Sequence, residues 1–289
     1  MKPRSFEYIS ATSLSDVFSA LGTHGGDAMI LAGGQSVMPA LNMRLNEPAV
    51  LVDINRIPGL AAIEENGGVL RIGALCRHEQ VRTSPEVVEH APLLAKALAH
   101  VAHPAIRNRG TFGGSICNAD AAAELPACVL ALGATLHVES AEGSRAIAAE
   151  DFFFDFFETA LEEGEVLTSI DLPVLGATGR HFFDEVARRR GDYALAGLAA
   201  TARVEGGRMI APRFAFISCG DRPLLAGSLG DLVAKRYPDA PAAEEIAEAL
   251  AHDLEPPEDA VTSAAARMQI ATVLAARAIR EFQQKGGRA

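Results

Sequence analysis

Two short stretches carry the residue types that chemistry at a phosphate requires. The first is Leu31-Ala32-Gly33-Gly34-Gln35-Ser36, directly after an apolar run, and the second is Arg109-Gly110-Thr111-Phe112-Gly113-Gly114-Ser115. Each sets adjacent glycines beside a hydroxyl residue. Without a Cβ the backbone can approach a ligand closely, and successive N–H groups can converge on an anion. Two readings of such loops stand: a backbone cradle for a cofactor phosphate, or a pair of tight structural turns. Neither loop has the G-x-G-x-x-G spacing of a dinucleotide fold or the G-K-[ST] of a P-loop. Downstream lies Cys117-Asn118-Ala119-Asp120, then Glu124 and Pro126. Asp120 is placed to cap a helix starting at Ala121, or to accept hydrogen bonds from ribose or ribityl hydroxyls together with Asn118 and Glu124. Arg107 and Arg109 are able to meet phosphate, or equally to pair with acidic side chains. His100 and His103, three apart, have no third ligand at a convincing spacing for a metal. No Ser/His/Asp set or carboxylate pair suggests itself, so any reactive atoms belong to a cofactor.

The whole chain sets limits on that chemistry. At 289 residues it has the length of about two domains of roughly 150 residues each. Lys plus Arg number 26 against 37 Asp plus Glu, a net charge of −11, which argues against nucleic acid as a partner. Backbone N–H groups nevertheless bind a pyrophosphate without any basic residue. Hydrophobic residues make up 49% of the chain, ample for a folded core. The four cysteines, Cys76, Cys117, Cys128 and Cys219, are scattered. They read as buried thiols in a reducing compartment and not as the bunched ligands of an iron–sulfur cluster. The N-terminus lacks the apolar core of a signal peptide, and no apolar window is long enough to span a bilayer, so a cytoplasmic location without a transmembrane segment is expected.

Periodicity gives the elements that must hold the loops. Strands are expected at 28–31 and 50–54, with helices at 15–21 and 39–45 around them. A hairpin follows at 61–64 and 69–72, then helices at 77–81 and 92–102. Residues 104–119 read as a glycine-rich loop and 121–132 as a buried helix, followed by strands at 134–138 and 170–172. The run DFFFDFF at Asp151–Phe157 is either a core hinge or an aromatic wall. A Pro/Gly linker at 173–179 marks the domain boundary. Beyond it come strands at 181–186, 199–204 and 213–217 and helices at 229–236, 243–250 and 263–282. Arg267, Arg277 and Arg280 fall on the expected solvent face of the last helix.

At the two loops the sequence resembles a known family, the FAD-binding medium subunits of molybdenum-containing hydroxylases (the xanthine dehydrogenase and carbon monoxide dehydrogenase superfamily). The matching pieces are AGGQS at Ala32–Ser36, TFGGS at Thr111–Ser115, IGALCRH at Ile72–His78, the run from His103 to Pro126, and RRRGDYALAG at Arg188–Gly197. The family usually carries Ile or Val where Phe112 stands. The resemblance implies an α+β chain: a bipartite FAD-binding domain of the vanillyl-alcohol-oxidase type over 1–175 (subdomains about 1–55 and 56–175), then a C-terminal antiparallel sheet with helices over 176–289. By likeness, Ala32, Gly33, Gly34, Gln35 and Ser36 wrap the FAD pyrophosphate, with Thr111, Gly113, Gly114 and Ser115 on its other side. Asp120 and Glu124 fall at polar contacts to the cofactor, and Tyr193 is a candidate to pack near the isoalloxazine. The resemblance also implies partners: a large molybdopterin-binding subunit and a small [2Fe–2S] subunit, assembled as a dimer of heterotrimers. Molybdopterin and clusters belong to those partners, and FAD passes electrons on to NAD, quinone or oxygen. Two alternatives remain at this point: a standalone FAD-dependent oxidoreductase, and a flavin-free structural subunit.

Overall fold

The computed structural model describes residues 2–286, so the two extremes of the expected domain limits, 1 and 289, lie outside the described residues. The chain opens with a small parallel sheet. β1 (Glu7–Ser10), β2 (Ala28–Leu31) and β3 (Val50–Asp53) pair in the order β1-β3-β2, with α1 (Leu14–His24) and α2 (Val37–Met43) between them. Ser13 and Asp16 start α1 as a reciprocal capping box: Ser13 Oγ accepts from the Asp16 N–H and Asp16 accepts from the Ser13 N–H. β1 goes beyond the sequence expectation. Its residues are mostly exposed, so they carry no apolar alternation to betray them.

The second unit is a five-stranded antiparallel sheet. β4 (Ile63–Asn66), β5 (Val69–Gly73), β6 (Thr135–Ser140), β7 (Gly143–Ala148) and β10 (Val166–Pro173) lie in the order β4-β5-β10-β6-β7. The hairpin β8 (Phe153–Asp155) and β9 (Glu158–Thr159) stands beside it. Helices α3 (His78–Thr83), α4 (Pro85–His90), α5 (Pro92–Leu98), α6 (Pro104–Arg107), α7 (Phe112–Asn118) and α8 (Glu124–Leu132) fill the interval between β5 and β6. The aromatic run divides between its two readings. Phe152 and Phe153 are buried, whereas Phe154, Phe156 and Phe157 are exposed.

The third unit is the antiparallel meander β11 (Gly179–Ala187), β12 (Ala194–Glu205), β13 (Arg208–Ile217) and β14 (Leu224–Leu225), with α9 (Gly227–Arg236), α10 (Ala243–Asp253) and α11 (Ala264–Gly286) on one face. Its strands alternate between two cores, as the pleat requires. Leu198, Ala200, Phe214 and Phe216 pack toward α9–α11. Ala199, Ala215 and Ile217 join the core that contains α8. From Leu125 to Leu132, α8 is buried on every side. Its last carbonyls are held from across the linker: Thr201 Oγ1 donates to Ala131 O, and Arg213 donates to Leu130 O at 2.8 and 3.0 Å.

Three expectations need correction. Residues 104–119 are not a plain loop but hold α6 and α7. Pro104 opens α6 at its first position, and Thr111 caps α7 by accepting from the Gly114 N–H at 3.2 Å. Asp120 does not cap a helix at Ala121. A helix starting there would carry Pro126 in its interior, where the missing N–H and ring clash are costly. The helix instead begins at Glu124, which leaves Pro126 in the first turn, and Asp120 Oδ1 accepts from the Ala122 N–H at 2.9 Å in the preceding turn. Arg267 is buried and not solvent-facing. Its guanidinium donates to the Leu195 and Ser218 carbonyls and pairs with Asp259 at 2.5 Å. Arg277 and Arg280 are exposed as expected. Among the described residues no helix is long and apolar enough to cross a membrane.

Candidate functional site

The end of β2 delivers the first glycine loop, and α6 delivers the second against it. A Cβ on Gly33 would lie 2.6 Å from Arg109 O, 2.8 Å from Gly110 Cα and 2.9 Å from Thr111 N. The two loops therefore touch through backbone alone, and only glycine fits at the contact. Gly113 serves the same purpose a layer below, where a Cβ would lie 2.5 Å from the Ala74 Cβ. Gly34 has φ +71°, the left-handed region that glycine enters without penalty.

Behind the loops runs a polar strap. Asn55 donates to the Ala32 carbonyl at 2.8 Å and to Asp53 at 2.6 Å, and Asp53 also accepts from the Tyr8 hydroxyl at 2.5 Å. Arg77 donates to Asn55 Oδ1 at 2.7 Å and to the Arg109 carbonyl. One pair of side chains thus fixes the carbonyl ahead of each glycine step. Sequence reasoning missed this strap, because Asn55 and Arg77 stand 22 residues apart with no local motif linking them. With the side-chain hydrogen bonds to Ala32, Asp53 and Arg77 lost, Asn55→Ala is expected to weaken cofactor retention about tenfold while the fold survives, as measured by flavin release on dilution.

Between the loops lies a cavity of about 410 Å³. It is lined by Ala32, Gly33, Gly34, Gln35 and Ser36 on one side, and by Thr111, Gly113, Gly114 and Ser115 on the other. Asp120 and Tyr193 also line it; Tyr193 is 73% exposed. Glu124 does not line it, so the structure separates this residue from the rest of the expected set. Among the described residues no Lys or Arg lines the cavity. Arg107 is committed to Glu79 at 2.9 Å and to the Val101 carbonyl, and Arg82 with Arg107 holds the Glu79 carboxyl down to about 2.

The two loops differ in what they offer. The N–H groups of Gly33, Gly34, Gln35 and Ser36 find no acceptor among the described residues, while Gln35 Nε2 donates back to the Gly33 carbonyl at 3.1 Å. In the second loop the Phe112, Gly113 and Ser115 N–H groups are taken by Cys76, Ala74 and Thr111 carbonyls, and the Gly114 N–H by Thr111 Oγ1. That side of the cavity therefore presents hydroxyls, from Thr111 and Ser115, where the first presents N–H groups. His78 lies beneath. Burial lowers its pKa to about 4, its Nε2–H donates to the Thr111 carbonyl at 2.9 Å, and its buried Nδ1 has no partner. A neutral imidazole here braces Thr111 without adding charge.

A family model for the FAD binding domain in molybdopterin dehydrogenase matches residues 4–175, and one for the CO dehydrogenase flavoprotein C-terminal domain matches residues 181–282. The chain belongs to the FAD-binding medium subunits of the molybdenum hydroxylases. It is the FAD-carrying subunit of such a complex, in which iron–sulfur and molybdenum-binding subunits also take part. The caffeine dehydrogenase subunit beta of Pseudomonas sp. strain CBB1 is 35% identical over 280 residues, covering 96% of this chain and 95% of that one. The 6-hydroxypseudooxynicotine dehydrogenase complex subunit alpha of Paenarthrobacter nicotinovorans is 44% identical over 205 residues, 71% of this chain and 69% of that one. In structure, carbon monoxide dehydrogenase from Hydrogenophaga pseudoflava superposes with a TM-score of 0.93 at 34% identity, covering 99% of both chains. Quinoline 2-oxidoreductase from Pseudomonas putida 86 gives 0.89 at 38% identity over the same shares.

The cavity fits the cofactor of this family. A pyrophosphate is an array of acceptors, and the lining would offer it N–H groups without an acceptor among the described residues and two hydroxyls, beside a contact between loops that only glycine allows. When bound, FAD would supply the capacity to take up and release electrons.

The polar groups at the Asp120 end have a consequence for stability. Burial, then the nearby Glu185, raises the Glu124 pKa from its usual 4.5 to about 8. The folded chain then binds more protons than the unfolded chain between those values. The stability this contributes is complete below pH 4.5 and is lost as pH rises through 8. Glu124→Gln is expected to remove that loss, gaining about 1–2 kcal/mol over the parent at pH 9 and little at pH 5, by urea unfolding at both values.

Proposed function

We propose that this chain holds FAD with its pyrophosphate against the N–H groups of Gly33, Gly34, Gln35 and Ser36, following Ala32, and opposite the hydroxyls of Thr111 and Ser115. Gly113 and Gly114 contribute space there. The isoalloxazine lies toward the Asp120 and Tyr193 end. The observation that carries this reading is the glycine-only contact between the two loops over a cavity that, among the described residues, no Lys or Arg lines. Electrons reach the flavin from the small [2Fe–2S] subunit and leave to a terminal acceptor, and the substrate is oxidised at the molybdopterin of the large subunit. The protein's own work is placement. Residues 4–175 build the cradle, and the C-terminal unit beyond the 173–179 linker braces α8 and supplies Tyr193. The working assembly is a dimer of heterotrimers in the cytoplasm.

The test is purification of the chain with its partner subunits. One FAD per copy, reduced on addition of substrate only when the iron–sulfur subunit is present, is the expected result. Oxidation of an organic substrate by this chain alone would sink the reading and favour a standalone flavoprotein.

A further inference from the structure

A two-residue hairpin loop takes Gly, Asn or Asp by preference, because its backbone enters the left-handed region. The loop between β8 and β9 does the reverse. Asp155 and Glu158 pair across the hairpin, and the two positions between them are Phe156 and Phe157. Phe157 stands at φ +58°, where a bulky side chain is costly. Asp155 Oδ1 accepts from the Phe156 N–H at 2.7 Å and holds the turn. Phe156 is 62% exposed, and its ring meets that of Phe157 edge-on, with centroids 4.4 Å apart. Phe154, Phe156 and Phe157 join no hydrophobic core among the described residues. Exposed rings on a strained tip stabilise nothing within the chain, and clustered aromatics of this kind are typical anchors of protein interfaces.

The base of the hairpin is fixed to the wall of the cavity. Phe152 and Phe153 are buried in the core that contains α8, and the Phe152 carbonyl accepts from the Ala160 N–H at 2.8 Å. Arg145, on β7, donates to the Ala160 carbonyl at 2.7 Å and pairs with Glu165 at 2.6 Å. Leu161 and Glu165 both line the cavity. Around the rings the exposed charges are acidic, from Asp151, Asp155 and Glu158, and the sequence has no Lys or Arg between Arg145 and Arg180. We propose that this aromatic tip is the docking knob for the iron–sulfur subunit, seated in an apolar pocket with a basic rim on that partner. The charge of the rim selects a basic surface, and the apolar rings supply the buried centre. The choice of subunit rests on the reading that electrons reach the flavin from the iron–sulfur subunit. That transfer requires a cluster held close to the cavity, and a knob built into the cavity wall fixes the separation.

The experiment uses the complete complex, tagged on this chain, with subunit content followed by native mass spectrometry over a dilution series. Phe156→Ser and Phe157→Gly are each expected to weaken retention of the iron–sulfur subunit about thirtyfold. The urea midpoint of the full chain carrying Phe157→Gly is expected not to fall, because glycine relieves the backbone at φ +58°. Glu158→Lys keeps both rings and decides the matter if either ring variant fails to fold. It is expected to weaken retention about fivefold at low ionic strength and little at high. Full retention of the iron–sulfur subunit by the folded variants overturns the proposal. So does loss of the molybdopterin subunit alone, a change only in the number of heterotrimers per assembly, or a lowered urea midpoint in Phe157→Gly, which would make the ring structural. Flavin absorbance is read on the same samples. A parent complex that holds its iron–sulfur subunit but no FAD would sink the functional reading, while subunit release still decides the docking surface.

Discussion

Gly33→Ala is expected to strip FAD from the assembled complex, weakening its retention about a hundredfold. The reason is the contact between loops. The added methyl would stand 2.6 Å from the Arg109 carbonyl oxygen and within 2.9 Å of two more backbone atoms, none of which can turn aside as a side chain could. The loops must separate, and the free N–H groups of residues 33–36 then no longer face Thr111 and Ser115. Two comparisons make the prediction specific. Gly34→Ala meets only the flexible Leu31 and Met38 side chains, at 3.3 and 3.4 Å, but must adopt φ +71°; it is expected to cost about fivefold. Gly22→Ala, on α1 with nothing within 4 Å, is expected to leave flavin content unchanged. The ratio of flavin absorbance to protein after gel filtration ranks all three.

Arg267→Met is expected to destabilise the chain by about 3 kcal/mol, read as a shift of the urea midpoint. This side chain is 7% exposed and joins α11 to two segments distant in sequence, through the Leu195 and Ser218 carbonyls. Its removal leaves both carbonyls buried without that donor and frees Asp259. Ser218 also donates its N–H to Ala121 O at 2.8 Å, in the turn that carries Asp120, so the effect reaches the wall of the cavity. Flavin content is expected to fall far less than with Gly33→Ala, because no cradle atom moves.

Much of the architecture was legible where short-range chemistry decides it. The apolar runs at Ala28–Leu31 and Val50–Asp53, the glycine turn at Gly67-Gly68, and the alternating strands of the third sheet all announce themselves. The paired glycines beside hydroxyls marked both stretches, and by themselves left two readings, a phosphate cradle or tight structural turns. What stayed hidden depends on partners far along the chain. α7 forms despite Gly113 and Gly114 because the Ala74 and Cys76 carbonyls receive its first N–H groups, and nothing within TFGGS foretells that. β1 exists because β3 offers it an edge. Pro126 did bear a local signal, the rule that proline belongs in a first turn, and it places the start of α8 correctly. The solvent-facing assignment of Arg267 failed because helical periodicity cannot tell a surface arginine from one drawn inward by carbonyls on another element. Glu124 was grouped with the cavity by its nearness in sequence to the second glycine stretch and by likeness, while the fold sets it near Glu185 and His100.

The central claim is that backbone N–H groups of the first glycine loop hold the cofactor's phosphates. Hydrogen–deuterium exchange on the complex, with and without FAD, tests it most directly. Protection on FAD binding is predicted to be strongest at residues 33–36, where the amides have no acceptor among the described residues. It should be small at 112–115, where the amides are already bonded. Exchange at 33–36 that is unaltered by FAD would contradict the account.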